Sequence, residues 1–192
     1  DLSLGVTFSA LDISDLKKAE RENLIYMQEL AVLNELGNKM GQSLSQDHVI
    51  DAALDGILNA TTSFVAFLLL RDGDNLKLAG AKFDQPDKTF VEFPTHIVGE
   101  CLCGMAVREK HPVYSKDIYS DKRCTWDECK EAGIISGATL PLYSDDEVIG
   151  VLGIGNDEIQ DYELQASYLE TLASTVSLSL QNARLYQQVR SD

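Results

Sequence analysis

The chain has 192 residues, 44% hydrophobic and 7% aromatic, with a formal net charge of -15. Such a composition supports one substantial core with appended helices and excludes a disordered or collagen-like chain. With 16 basic against 31 acidic residues, it also argues against nucleic acid and an anionic membrane surface as partners, because both require Lys and Arg to neutralise phosphate.

The start, DLSLGVTFSALDIS, lacks the basic and apolar regions of a signal peptide, and no run reaches the roughly 18 apolar residues of a spanning helix. A soluble, cytoplasmic segment without direct membrane contact is expected. Gly5 to Asp12 reads as a strand with no hairpin partner before it. Ser14 then caps a helix running to about Met40, in which Leu16, Ala19, Asn23, Tyr26, Leu30, Leu33, Gly37 and Met40 alternate spacings of three and four. This spacing makes a coiled-coil-like seam in which Asn23 would fix register, or else a face that covers the domain's own sheet.

A second helix from Ser45 or Gln46 to about Ala60 carries Val49, Ile50, Ala53, Leu54, Ile57 and Leu58 on one face. Phe64 to Leu70 and Leu76 to Lys82 form a hairpin across Asp72 to Asn75, and Thr89 to Phe93 reads as a third strand closed by Pro94. A short strand lies near Pro112 to Tyr114, and a further hairpin joins Ala138–Tyr143 to Val148–Ile154. The last helix runs from Asp161 to about Arg190, roughly 30 residues or 45 Å. It carries one apolar seam through Leu164, Tyr168, Leu178, Leu185 and Val189, and another through Leu169, Leu172, Val176, Ala183 and Tyr186. The expected class is α+β, with a mainly antiparallel sheet of five or six strands.

All four cysteines fall within Val98 to Leu142, as C-x-C, 20 residues, then C-x4-C. Four thiolates, Cys101, Cys103, Cys124 and Cys129, suit zinc or an iron–sulfur cluster, although neither half is the common C-x2-C knuckle. Two other readings stand beside the metal centre: small apolar residues lining a pocket, and thiol–disulfide chemistry. Thr125, Trp126, Asp127 and Glu128 resemble a capping box opening a short helix that Gly133 ends. His96 and His111 are candidate haem or metal ligands, and Trp126 is placed to stack on a planar ligand. Catalytic-triad, phosphate-loop, HExxH and calcium-loop patterns are absent from the sequence.

GVTFSALDISDLKKAERENL is similar to the end of PAS domains, which implies that residues 1–13 are the last strand of a truncated PAS-like domain and 14–40 its signalling helix. VGECLCG, HPVYSKDIYSDKRC, AGIISGATLPLYSDDEVIGVLGI and LQNARLY, in that order, resemble the GAF domain over about Leu30 to Val189. That resemblance implies a sensor core at 41–160 and a helix at 161–192 leading toward an output domain. It further implies a sheet with long helices on one face and, on the other, a small-molecule pocket whose lid is Val98 to Leu142. Family members bind cyclic nucleotides, bilins, haem, nitrate or other small ligands, or only dimerise.

Cys101 replaces the glycine usual in the family turn. Within the family, free methionine-(R)-sulfoxide reductases carry a cysteine in G-V-C-G, matched by Cys103, and another in I-A-C-D, near Cys124 or Cys129. Where those enzymes have Ser-Glu-Ile-Val, this chain has Ser136, Gly137, Ala138 and Thr139, so the carboxylate that would hold a substrate ammonium is missing.

The expectation is therefore a non-enzymatic regulatory sensor module of a signalling protein such as a histidine kinase. Cys101, Cys103, Cys124, Cys129, His96, Trp126 and Thr139 are the candidate ligand or redox residues. Zinc, an iron–sulfur cluster and haem are the candidate cofactors. A homodimer through Leu16, Asn23, Leu30, Leu33, Leu172, Val176, Ala183 and Tyr186 would relay the signal. The alternatives are a ligand-free dimerisation module and a reductase-like thiol enzyme.

Overall fold

The computed structural model describes residues 14–42 and 45–191. The expected strand from Gly5 to Asp12, and with it the PAS-like end, lies outside them. In chain order the elements are α1 (Ser14–Gly41), α2 (Gln46–Thr61), β1 (Val65–Asp72), β2 (Asn75–Phe83), β3 (His96–Ile97), α3 (Cys101–Glu109), β4 (Val113–Ser115), α4 (Glu128–Glu131), β5 (Ser136–Ser144), β6 (Glu147–Asn156) and α5 (Ala166–Ser191). A 3-10 turn, Tyr162–Gln165, leads into α5. The strands form one antiparallel sheet in the order β3-β2-β1-β6-β5-β4.

The continuous apolar run of β1 follows from its place between β2 and β6, where both faces of the strand are covered. Side chains alternate across it. Ala66 and Leu68 join the core under α1, α2 and α5, while Val65, Phe67 and Leu69 join a second core beneath α3, α4 and the connecting loops. Leu140 and Leu142 of β5 face the helices. The lid-side core contains all four cysteines.

Three elements differ from the sequence expectation. Thr89 to Phe93 is not a strand, and the third strand is His96–Ile97, paired with Leu76 and Asn75. The apolar signal there comes from Phe90 and Phe93, which pack into an aromatic cluster with Phe67 (ring centroids 5.8 Å apart in each case) and do not supply ladder positions. Cys101–Glu109 is a helix where a turn was expected, burying Leu102, Ala106 and Val107. The capping-box reading fails: Asp127, not Thr125, precedes the helix, and no side chain caps it, because Glu128 is engaged elsewhere.

The two apolar seams of the last helix separate except at their tyrosines, Tyr168 packing partly against the core and Tyr186 being exposed. Leu169, Leu172, Val176 and Ala183 are buried against α1, α2 and the sheet, whereas Leu164, Leu178, Leu185 and Val189 are exposed. Leu172, Val176 and Ala183 thus belong to the domain's own interior and not to a seam with a second copy, since the sheet's helix face needs their apolar surface. Along α1 only Leu36 and Met40 are buried, Leu33 packs partly against the core, and Leu16, Asn23 and Leu30 are exposed. Tyr186 is 42% exposed. Among the described residues, no helix is long and apolar enough to cross a membrane.

Candidate functional site

The turn before α3 sets the site. Gly99 has φ +91 and Cys101 φ +52, both left-handed, and Gly99 N–H donates to Gly104 O at 2.8 Å. For a residue other than glycine that conformation costs about 1–2 kcal/mol, which accounts for the glycine usual at this position. Gly104 is required for a different reason: a Cβ there would stand 2.1 Å from Ile97 O, so the first turn of α3 rests directly on β3.

This geometry sends the Cys101 side chain toward Cys124, and the two Sγ atoms lie 3.9 Å apart. Cys124 is presented by a braced turn. Arg123 grips the Asp121 carboxylate through Nε and Nη2 and donates from Nη2 to Tyr114 O at 2.7 Å. That guanidinium holds the Asp121 carboxyl down to about 2. Cys124 N–H donates to Asp121 O, and Lys130 Nζ donates to Cys124 O at 3.4 Å.

The four thiols are chemically unequal. Cys124 hydrogen-bonds to the Cys101 sulfur and, against the effect of burial, lowers the Cys101 thiol from 9.0 to about 6; the backbone of Trp126, Leu102 and Thr125 adds to the shift. The same contact, together with burial, raises Cys124. Burial raises Cys103, with the Cys129 sulfur adding to it, and burial raises Cys129, with the Glu128 carboxylate adding to it.

The four sulfurs do not gather at one point. Among the described residues, no three His, Cys, Asp or Glu side chains are grouped to hold an ion. The donor set expected for zinc or an iron–sulfur cluster resolves into the Cys101–Cys124 pair and two separately buried thiols. The space they border, also lined by Phe67, Ile118 and Ile134, is an apolar cavity of about 20 Å³. That is room for about one water molecule, and haem does not fit. A larger surface groove of about 750 Å³ runs between α1 and α5 beside Tyr26, Leu33 and Tyr168, away from every cysteine.

The remaining expected ligand residues are either packed into the fold or at the surface. His96 is fully buried, stacked between Phe93 (centroids 4.9 Å) and Trp126 (5.1 Å), and its Nε2 lies 2.5 Å from Glu128 Oε1. Thr139 Oγ1 is within hydrogen-bond distance of Leu102 O (3.2 Å) and Val113 O (3.3 Å), tying α3 and β4 to β5. His111 is exposed. Sequence reasoning missed Glu128 as the histidine's partner, since nothing local marks a contact across 32 positions. Arg123 lay in plain view within the D-x-R segment. Gly137 and Ala138 add no carboxylate to the cavity wall, as their identity implied.

A GAF domain family model matches residues 43–181. Among solved structures, the chain is similar to free methionine-R-sulfoxide reductase from Neisseria meningitidis with its substrate, at 21% identity and TM-score 0.70, covering 95% of this chain and 98% of that one. It is similar to the GAF domain of an Acinetobacter phosphoenolpyruvate-protein phosphotransferase at 21% identity and TM-score 0.69, covering 84% and 98%. It is also similar to the GAF domain of a two-component sensor histidine kinase from Bacillus halodurans at 21% identity and TM-score 0.64, covering 76% and 100%. At these identities the structures establish the fold alone. Comparison with curated proteins gives no match. Since the match spans most of the chain and the sheet, flanking helices and lid all follow the family's plan, this chain belongs to the GAF domain family.

Proposed function

We propose that this domain is a regulatory sensor module of a larger signalling protein, and that its stimulus is oxidation of the Cys101–Cys124 dithiol. The observation that carries this reading is the 3.9 Å contact between two thiols from separate segments, beside an interior with only about 20 Å³ to spare. A closed, apolar interior of that size disfavours a cyclic nucleotide, a bilin, haem or free methionine sulfoxide as ligand. Closing an S–S bond of about 2.05 Å requires the sulfurs to approach by nearly 2 Å, which strains the turn at Cys101 and the Arg123-braced loop together.

A contiguous route from this pair to the output helix supports the relay. Leu102, next to Cys101, bonds through its carbonyl to Thr139 of β5, and four residues along β5 the Tyr143 N–H donates to Ser177 Oγ of α5 at 3.0 Å. Ser177 in turn donates to Ala173 O within the helix. The exposed seams, Leu16, Tyr26 and Leu30 on α1 and Leu178, Leu185 and Val189 on α5, fit packing against a second copy, as a parallel homodimer in a sensor kinase would need. Similarity to a sensor histidine kinase GAF domain is consistent with that setting.

The test is oxidation with diamide, followed by disulfide mapping, hydrogen exchange along α1 and α5, and sedimentation. The expected result is a Cys101–Cys124 link and altered exchange in α5, with Ser177→Ala keeping the link but losing the exchange change. Oxidised and reduced protein with the same α5 exchange and the same self-association would leave the ligand-free dimerisation module, which the filled interior also favours.

A further inference from the structure

We propose that Cys101 is the attacking thiol for a small hydroperoxide and Cys124 its resolving partner, with Cys103 and Cys129 standing outside the reaction. This deepens the dithiol-sensor reading and rests on it.

The assignment of roles follows from position. Cys101 opens the nine-residue helix α3, at the helix's positive end, its Sγ is 3.9 Å from that of Cys124, and the backbone of Trp126, Leu102 and Thr125 favours its thiolate. Cys124 has a different setting: its Sγ lies 3.8 Å from the carbonyl oxygen of Trp126, and the contact with Cys101 together with burial raises its thiol, so it is the later of the two to lose its proton. Cys103 and Cys129 are buried thiols that burial raises, and the Glu128 carboxylate further opposes ionisation of both. Cys101 also holds a left-handed conformation at φ +52, a departure from relaxed backbone found at the one cysteine the chemistry needs.

The oxidant class follows from space. Both sulfurs border the apolar cavity of about 20 Å³. Hydrogen peroxide, with two heavy atoms, is of that order; a bulky arene hydroperoxide or glutathione disulfide is not. In the first step the Cys101 thiolate attacks one peroxide oxygen, an S–O bond forms, the O–O bond breaks, and hydroxide leaves to become water with the thiol's former proton. In the second, the Cys124 sulfur attacks the Cys101 sulfenic sulfur, the S–S bond forms, the S–O bond breaks, and the departing hydroxide takes the Cys124 proton as water. The sum is two thiols and one hydrogen peroxide giving one disulfide and two waters.

The experiment reacts the reduced chain with hydrogen peroxide, cumene hydroperoxide and diamide. It follows Trp126, the only tryptophan, by stopped-flow fluorescence and the products by mass spectrometry. Hydrogen peroxide is expected to yield the Cys101–Cys124 disulfide roughly tenfold or more faster than it oxidises a free cysteine, and faster than cumene hydroperoxide does. Cys124→Ser should accumulate a dimedone-trapped sulfenic acid on Cys101. Cys101→Ser should lose the fast phase, and Cys103→Ser/Cys129→Ser should retain it. Cys101→Gly, which relieves the positive φ, gives a second variant lacking this thiol should Cys101→Ser unfold. A disulfide with diamide but none with peroxide, or sulfenic acid on another cysteine, overturns this inference and leaves the dithiol reading standing. No Cys101–Cys124 link under any oxidant removes both.

Discussion

The buried pair His96–Glu128 makes the sharpest energetic prediction. Both side chains are almost wholly enclosed, at 0% and 6% exposure, with His96 Nε2 and Glu128 Oε1 2.5 Å apart. Removing either partner leaves the other buried and uncompensated, at a cost of about 3–5 kcal/mol. His96→Phe keeps an aromatic ring between Phe93 and Trp126 and deletes only the polar edge; Glu128→Met keeps the volume and deletes the carboxylate. The double variant restores an apolar contact, so its cost should fall short of the summed single costs by about 2–3 kcal/mol. Urea unfolding of all four proteins, followed by Trp126 fluorescence with m-values checked for constancy, measures that coupling. Additive costs, within about 0.5 kcal/mol, would show that the pair is not the clamp holding α4 to the β3 edge.

Thr139→Val removes the hydroxyl serving two buried carbonyls and should cost about 1–3 kcal/mol in thermal or urea unfolding; no loss would mean that α3 is held without it. Gly104→Ala places a methyl group 2.1 Å from Ile97 O and should lower stability by more than about 2 kcal/mol while abolishing amide protection in α3. Alkylation of Cys101 should rise with pH about a midpoint near 6, well below the ordinary thiol value of 9.0. Because its folded pKa is the lower one, the thiolate's contribution to stability is complete above about 9 and lost as pH falls through about 6. Cys101→Ser should lack that dependence in unfolding curves between those limits. Leu185→Ala, on the outward seam of α5, should leave monomer stability unchanged and weaken self-association in sedimentation; a destabilised monomer would place this residue in the core.

The helices and central strands were legible because their patterns are long. The last helix displayed its two seams, and β1 its continuous apolar run. Short elements were not. β3 is two residues whose pairing depends on β2, and the phenylalanines that suggested a strand at Thr89 to Phe93 serve an aromatic cluster instead. Within the site, the family turn located Cys101 and Cys103, and the clustering of cysteines suggested proximity. Which two of the four sulfurs meet is decided by a positive φ at Cys101 and by the Arg123 brace around Cys124, and neither leaves a periodic trace. Glu128 was misread as a capping residue because local rules do not include a histidine 32 positions away.

The sheet stands between two cores that share no side chains, one holding the thiols and the other the long helices. The hydrogen-bonded route through Thr139, Tyr143 and Ser177 couples them by way of β5, and such coupling has the same magnitude in both directions. If oxidation of the dithiol tightens the pairing of two α5 helices by a given factor, then pairing shifts the dithiol's oxidation equilibrium by that factor. The reduction potential of this domain would then depend on its own concentration and on whatever its helices are joined to, so a titration of the isolated chain and one of the assembled signalling protein should give different midpoints.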